Sequence, residues 1–284
     1  MQSNLQVRFL QNTRSIDVTV TVTPSSDTSA SVTVPATVYN NLQANDVVSI
    51  SVTNSDNVVS NTVTLTASGL PTGGNITTSG SYRIHSFTSS GTFVVPSGMT
   101  LNNVEYLIVA GGGGGGGSAQ GHQGGGGGAG GLRTSVVGAT SGANSSPESR
   151  VTFTAGSYNV TIGGGGVGRA SGAGYGGTGV NSGLATPSGT ITSNGGGGGG
   201  MGQNNGASRG GLSGGCGGGA ASSDQSIAAP GSGTAGQGYD GGQPTCVGCG
   251  QGGAGGGAGA VGSNGGTGGV GSNNTPGGAG LVNN

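Results

Sequence analysis

Seven consecutive glycines, residues 111–117, directly follow the apolar run Tyr106-Leu107-Ile108-Val109-Ala110. The composition changes at this junction, because only six of the 74 glycines lie at or before residue 110. Ordering a residue costs roughly 1–2 kcal/mol, and glycine loses more backbone freedom than any other residue. Residues 111–284 therefore either stay disordered or form a structure in which backbone hydrogen bonds between closely packed segments replace an apolar core.

The composition limits what the rest of the chain can form. Only 30% of the 284 residues are hydrophobic, 4% are aromatic and none is tryptophan, so the chain can build at most one conventional core. The net charge is −1, and the seven basic residues, all arginine, are scattered singly. No basic stripe is available for phosphates, so we expect no nucleic-acid partner.

Residues 1–68 have the pattern of a small β-domain. Residues 16–23 alternate apolar and polar side chains, and similar runs recur at 5–10, 31–34, 48–53 and 62–66. Five or six strands at about ten-residue spacing predict a small antiparallel sandwich of immunoglobulin-like type, with one helical turn within residues 36–43. No chemical motif lies here, and we interpret the domain as a docking or spacer module.

Residues 69–74 have the composition of a short linker, and residues 75–284 form the glycine-rich domain. Strand-like segments lie at 82–87, 91–96, 104–109, 151–154 and 158–162, and the third and last of them lead into glycine runs. We predict that the strands near 82–110 and 150–162 form one small β-unit. The glycine segments themselves occupy 111–149 and 163–284.

Three ordered motifs link the chain to a known family. They are FTSSGTFVVPSG at residues 87–98, VEYLIVAGGGGGG from residue 104, and FTAGSYNVTIGGGG at residues 153–166. Their order is similar to that of the glycine-rich domain of bacteriophage tail fibres and receptor-binding adhesins, over residues 75 to about 280. The resemblance implies a bundle of polyglycine-II helices whose distal loops recognise host surface structures. Residues 1–68 lie outside it.

The residues alone favour the same kind of scaffold. The chain has neither the glycine at every third position nor the proline content of collagen, and glycine blocks alternate with short insertions that favour turns. This spacing fits extended helices of three residues per turn, packed side by side and hydrogen-bonded to one another, with disorder as the alternative. The predicted fold is therefore mostly β and irregular, with almost no α-helix, and residues 111–117 are predicted to be a buried rod.

Few residues are available for chemistry. Cys246 and Cys249 form a C-x-x-C motif, Cys216 is the only other cysteine, and neither histidine has matching spacing, so we predict no metal site. A local disulfide and free thiols both remain open. Without a nucleophile elbow, a close carboxylate pair or a helix after any G-x-G-x-x-G, we predict no enzyme, no catalytic residue and no cofactor.

The insertions between glycine blocks are the candidate recognition elements, since turns joining rigid rods carry most of the variable side chains. The richest are residues 120–123, 169–175, 201–209, 222–226 and 239–249. Tyrosine and arginine are favoured anchors in binding loops. The candidate receptor-binding residues are His122, Arg169, Tyr175, Met201, Arg209, Asp224, Tyr239 and Asp240.

The leading hypothesis is a virion appendage protein of a tailed phage, made in the host cytoplasm without a signal peptide and placed on the virion surface. Residues 1–68 would dock onto other virion proteins, and the glycine-rich bundle would bind a host glycan or outer-membrane protein. A homo-oligomer is possible, and membrane insertion is not expected. The alternatives are a capsid decoration or head-fibre subunit and, in another class, an ice-binding protein.

Overall fold

The computed structural model describes residues 4–281 apart from 27, 44, 68, 120, 171–173, 203–208, 249 and 268–274. Within the described residues, the helices are one 3₁₀ turn at Asn12–Arg14 and one α-helical turn, α1, at Ala36–Tyr39. The regular structure is otherwise antiparallel strands, as the sequence predicts.

The chain forms two compact units. The first comprises Met1–Ser86, Phe93–Thr100 and Thr154–Ser157, and the second comprises Phe87–Thr92, Leu101–Phe153 and Tyr158–Asn284. The predicted boundaries at residues 68 and 74 remain a prediction.

The first unit contains a four-stranded antiparallel sheet. Its strands are β1 (Leu5–Gln11), β2 (Ile16–Val22), β3 (Val47–Thr53) and β4 (Val63–Thr66), in the order β2-β1-β3-β4. Val7 pairs with Val20 on one side and with Val52 on the other. The period-two pattern of these segments thus places alternate side chains on one face, as half-buried strands require.

The predicted sandwich, which requires two packed sheets, is wrong: the described residues between 5 and 66 contain one sheet, and the predicted strand at 31–34 is irregular. The sheet's core consists of Val7, Phe9, Ile16, Val22, Val38 and Val48. Val38 belongs to α1, and the neighbouring Val32 and Leu42 pack partly against the same cluster. The short helix and its flanks therefore cover the face that a second sheet would have covered.

The remaining strands are shorter or lead into glycine. A hairpin is formed by β5 (Asn75–Ser79) and β6 (Tyr82–Ser86), and β8 (Leu107–Val109) pairs with β9 (Leu132–Thr134). A second four-stranded sheet has the order β12-β11-β10-β7. Its strands are β7 (Gly91–Val104), β10 (Val151–Thr161), β11 (Ser182–Thr186) and β12 (Gly189–Ser193). The predicted run 104–109 is therefore divided between β7 and β8, and the predicted runs 151–154 and 158–162 join in β10.

The glycine-rich segments form rods that hydrogen-bond to one another with a three-residue repeat. Amides 111, 114 and 117 donate to carbonyls of 174–180, and amides 113 and 116 donate to carbonyls of 123–131. Three residues per turn is the repeat of a polyproline-II helix, so the predicted polyglycine-II bundle is present. The rods span residues 111–117, 123–131, 163–169, 174–180, 195–202, 209–212, 214–223, 229–232, 238–243, 250–258, 261–266 and 275–281.

The rod at 214–223 has neighbours on all sides. Its amides 217, 218 and 219 donate to three different rods, and amides 220, 221 and 222 donate to the same three rods in the same order. The acceptors are the carbonyls of Tyr239, Leu212 and Gly126, and then those of Gly242, Arg209 and Gln123. Residues 215–223 are all buried, although none carries a large side chain.

The heptaglycine at 111–117 is an ordered rod, but the prediction that it is buried is only partly correct. Gly114 and Gly117 are buried, whereas Gly115 is exposed. The rods that are buried throughout are at 195–200, 215–223 and 251–258. An uninterrupted glycine run therefore marks a rod without marking the centre of the bundle.

The rods alternate in direction, which gives the bundle two different ends. The pairs Gly113–Gly128 and Gly116–Gly125 run antiparallel, whereas Gly196, Gly199 and Gly202 donate to Gly111, Gly114 and Gly117 in parallel. The strands β8, β9, β10, β11 and β12 adjoin residues 111, 131, 163, 180 and 195, so we call that side the strand end. The opposite side, where 117 leads to 123 and 202 to 209, is the turn end.

Candidate functional site

The turn end collects loops from widely separated parts of the sequence. All five predicted recognition loops reach this end, since each joins a rod that arrives there to a rod that departs from it. Neither the direction of a rod nor the end at which a loop emerges is visible in the sequence. The described residues of the turn end are 118–119, 121–122, 170, 224–228, 244–248 and 267.

Backbone hydrogen bonds tie the rod ends together just below these turns. The amide of Gly202 donates to Gly117 O at 2.9 Å, and the amide of Ser222 donates to Gln123 O at 3.1 Å. The Ser222 hydroxyl also accepts from the amide of Gln123 at 2.9 Å. Gly248 donates to Ser223 O at 2.8 Å. The turns are therefore presented on a cross-linked base, which reduces the ordering entropy that binding has to overcome.

His122 and Asp224 meet at the turn end. Nε2 of His122 lies 3.2 Å from Oδ2 of Asp224, and the imidazole is 6% exposed whereas the aspartate side chain is 53% exposed. The pair links the turn after the heptaglycine to the turn after the rod 214–223, which is the central rod of the bundle. His122 is therefore an internal support, and Asp224 is the surface group of the two.

Arg169, Tyr175 and Met201 also lie at the turn end. Nε of Arg169 donates to the carbonyl of Tyr175 at 3.2 Å, and the amide of Gly174 donates to Sδ of Met201 at 3.0 Å. Arg169 is exposed, whereas Tyr175 and Met201 are half-buried. These three candidates are thus brought together, with Arg169 the most accessible.

Arg209 lies at the turn end but is enclosed, with 3% of its surface exposed. Its carbonyl accepts from the amide of Ala221 at 3.0 Å. The role of Arg209 in receptor binding stays a prediction, and the structure shows that its side chain is buried.

Tyr239 and Asp240 are not at the turn end. They lie near the start of the rod 238–243, on the strand side, where Nδ2 of Asn144 donates to the Tyr239 hydroxyl at 3.1 Å. Oδ1 of Asp240 accepts from the amide of Gly233 at 2.7 Å. Although the loop 239–249 reaches the turn end, these two residues lie on the strand side, where Tyr239 is half-buried and Asp240 is exposed.

Parts of the predicted loops lie outside the described residues, namely 120, 171–173, 203–208 and 249. Sequence reasoning missed two exposed apolar residues of the turn end. Ile227 is 47% exposed and Val247 is 51% exposed. The available signal was a single large apolar residue within a run of small and polar residues.

The strand end is fixed by a different kind of contact. Glu148 accepts from the Tyr106 hydroxyl and from Nε and Nη2 of Arg133, each at 2.6 Å, and Nη1 of Arg133 donates to Thr192 O. Burial alone would raise the pKa of Glu148, but the hydrogen bonds from Arg133 and Tyr106 lower it below its ordinary value. Burial and the bond to Glu148 raise the pKa of Tyr106. This cluster joins the segments before β8 and before β10 to strands β9 and β12.

The cysteines do not form a shared site in the described chain. Cys216 is a free, buried thiol in the central rod, and burial raises its pKa to about 11. Cys246 is disulfide-bonded, and Cys249 lies outside the described residues. Among the described residues, no group of three or more His, Cys, Asp and Glu side chains is placed to hold a metal ion.

Comparisons with known proteins identify the larger part of the chain. No helix of the described chain is long and apolar enough to cross a bilayer. No curated protein and no solved structure matches the chain. A family model described as a glycine-rich domain matches residues 88–284, which contain the rods and both of their ends. The chain therefore belongs to the glycine-rich domain family.

Proposed function

We propose that the protein is a non-enzymatic virion appendage of a tailed phage, and that the turn end of its glycine bundle binds a host-surface glycan or outer-membrane protein. The observation that carries this proposal is the convergence of all five candidate loops on one end of the bundle. The longer connections at the strand end, 132–162 and 181–194, form strands β9 to β12, whereas no strand lies in the described residues of the turn-end loops.

The bundle also has the rigidity that a binding platform requires. Its rods are joined by backbone hydrogen bonds of 2.7–3.4 Å over their length, so the turns start from fixed positions. Exposed side chains of different chemistry lie close to that base, among them Arg169, Asp224 and Ile227. Residues 1–68 remain the proposed docking domain for other virion proteins.

The proposal is tested by comparing two triple variants in adhesion to a panel of bacterial envelope preparations. The turn-end variant is R169S/Q225S/I227S, and the matched control V137S/V167S/V180S alters three residues that are exposed but lie away from the turn end. We expect the wild type to bind at least one envelope type, the turn-end variant to lose binding at least about tenfold, and the control to retain it. Equal adhesion of both variants and the wild type would refute the proposed binding end.

Location on the particle separates this function from a capsid decoration or head-fibre role. Gold-labelled antibody against the chain should mark the tail of the intact virion, at a few to tens of copies. Uniform labelling of the head would favour the architectural alternative.

A further inference from the structure

The positively charged side chain of Arg209 is buried at the turn end and has no carboxylate partner among the described residues. Nη1 and Nη2 of Arg209 are both buried, and no described residue forms a hydrogen bond with either. A guanidinium stays protonated in proteins, and a buried ion without a partner strongly disfavours the folded state. An enclosed arginine of this kind therefore requires an anion.

The other arginines show how the chain normally satisfies this residue. Of the other six, four contact a carboxylate and Arg169 donates to a carbonyl. Arg83 has a buried Nε without a hydrogen-bond partner among the described residues. Each of the six is less buried than Arg209. The four ion pairs are Arg8–Asp17, Arg14–Asp46, Arg133–Glu148 and Arg150–Glu105. Arg209 is the most buried of the seven, and both of its terminal nitrogens lack a hydrogen-bond partner among the described residues.

The sequence of the turn-end loops offers no second acidic residue to pair with Arg209. The turn-end loops 118–122, 170–173, 203–208, 224–228, 244–249 and 267–274 contain one acidic residue, Asp224. Asp224 is already in contact with His122. The anion that completes Arg209 must therefore come from another molecule.

A second unsatisfied group lies beside the same rods. Nδ1 of His122 is buried and has no hydrogen-bond partner among the described residues. Nε2 of His122 is directed at Asp224, and Nδ1 accepts a hydrogen bond in a neutral ring or donates one in a charged ring. Nδ1 is therefore suited to a hydrogen bond with a hydroxyl group of a ligand.

His122 and Arg209 flank the same two rod ends. A side chain at Gly200 would collide with Arg209 O, and one at Gly202 would collide with His122 O. On the adjacent rod, Ala221 donates to Arg209 O and Ser222 donates to Gln123 O. The backbones of His122 and Arg209 thus lie in one layer of the turn end.

We propose that this layer is the binding site for an acidic sugar: Arg209 takes the carboxylate or phosphate group in a bidentate contact, and Nδ1 of His122 forms a hydrogen bond with a sugar hydroxyl. The inference rests on the proposed function and specifies the class of its receptor, an acidic surface glycan. Because both guanidinium nitrogens are enclosed in the free chain, the residues covering them must shift when the sugar enters.

The test is equilibrium dialysis of the full chain, freed of phosphate, against glucose 1-phosphate, glucuronate and neutral glucose. We expect saturable binding of at least one acidic sugar and none of glucose. Comparison of glucose 1-phosphate with glucuronate shows whether the site prefers a phosphate or a carboxylate group.

Arg209→Gln should weaken binding at least about tenfold, and so should Arg209→Lys, which keeps the charge but loses the planar fork. Arg150→Gln, the same change at the strand end, should leave it unchanged.

Absence of binding to both acidic sugars, or equal affinity in the wild type and Arg209→Gln, overturns the site. If Arg209→Gln does not fold, Arg209→Lys decides: a tenfold loss supports the site, and unchanged affinity overturns it. Envelope adhesion is measured on the same samples. Adhesion without sugar binding removes this inference and leaves the proposed function, whereas sugar binding without adhesion supports the site and removes the function.

Discussion

The N-terminal sheet and the glycine bundle exclude water by opposite means. In the sheet, a few large side chains such as Phe9, which is 2% exposed, fill the space beside the strands. In the bundle, residues 215–223 are buried because their rods approach closely enough to bond backbone to backbone. Shape is specified in the first region by side chains that are present and in the second by Cβ atoms that are absent.

The difference determines which substitutions each region tolerates. A core built of side chains loses stability when atoms are removed, because a cavity remains. A bundle of rods loses stability when atoms are added, because the neighbouring backbone cannot move away without breaking its own hydrogen bonds. The following predictions test this contrast, from the largest expected effect to the smallest.

The largest effect is expected for Gly217→Ala in the central rod. The added Cβ would overlap the carbonyl oxygen of Gly231, so the two rods cannot keep their spacing. We expect the free energy of unfolding of the bundle to fall by at least about 4 kcal/mol, measured by denaturant unfolding with circular dichroism.

Gly164→Ala is the matched control, since a Cβ at this position has no atom within 4 Å. It should change stability by no more than about 0.5 kcal/mol. Similar losses at both positions would mean that glycine is required for its flexibility and not for close approach.

Removal of side-chain atoms should destabilise the N-terminal sheet. Phe9→Ala empties the centre of the N-terminal core and should lower the stability of that unit by about 3–5 kcal/mol. Calorimetry should show the first unit's transition moving to lower temperature. A single transition that moves as a whole would show that the two regions unfold together and that the contrast is not thermodynamic.

The strand-end cluster gives a pH-dependent prediction. The folded-state pKa of Glu148 is lowered, so its contribution is present above the ordinary value of 4.5 and is lost as the pH falls through the folded value. Glu148→Gln should lower stability by about 1–3 kcal/mol at pH 7 and flatten the decline below pH 4.5. Denaturant midpoints between pH 2 and 7 measure both effects, and an unchanged acid profile in the variant would contradict the assignment.

The smallest effect concerns one side-chain bond within the bundle. Ser222→Ala removes the hydroxyl that accepts from Gln123 N at 2.9 Å but keeps the Cβ that the rod already accommodates. We expect a loss of about 1 kcal/mol in denaturant unfolding. A loss as large as that of Gly217→Ala would indicate that polar side chains, and not spacing, determine the stability of the bundle.

The sequence predicted local structure well and long-range arrangement poorly. Alternation in residues 16–22 predicted β2, and the glycine runs after Ala110 and Ile162 predicted rods, because both patterns depend on near neighbours. The sandwich prediction was wrong because the alternation at 31–34 indicates only that this segment could form a strand. It does not show that a second strand lies beside it to accept its hydrogen bonds.

The candidate site was predictable in its loops but not in its geometry. The loops around His122 and Asp224 could be recognised from their residue types, but their contact depends on the direction of every intervening rod. The burial of Arg209 and the placement of Tyr239 on the strand side depend on the order in which rods pack, which residue composition does not encode.

The three-residue repeat of the rods acts as a reading frame for insertions and deletions. One residue added to the rod 214–223 would rotate every later amide by a third of a turn and direct it at the wrong neighbour, whereas three added residues would restore all partners. Turns have no such frame. Among relatives, we therefore expect insertions and deletions of any length in the turns, but only of multiples of three residues within the rods. The surface at the turn end can then change while the rods keep their hydrogen-bond partners.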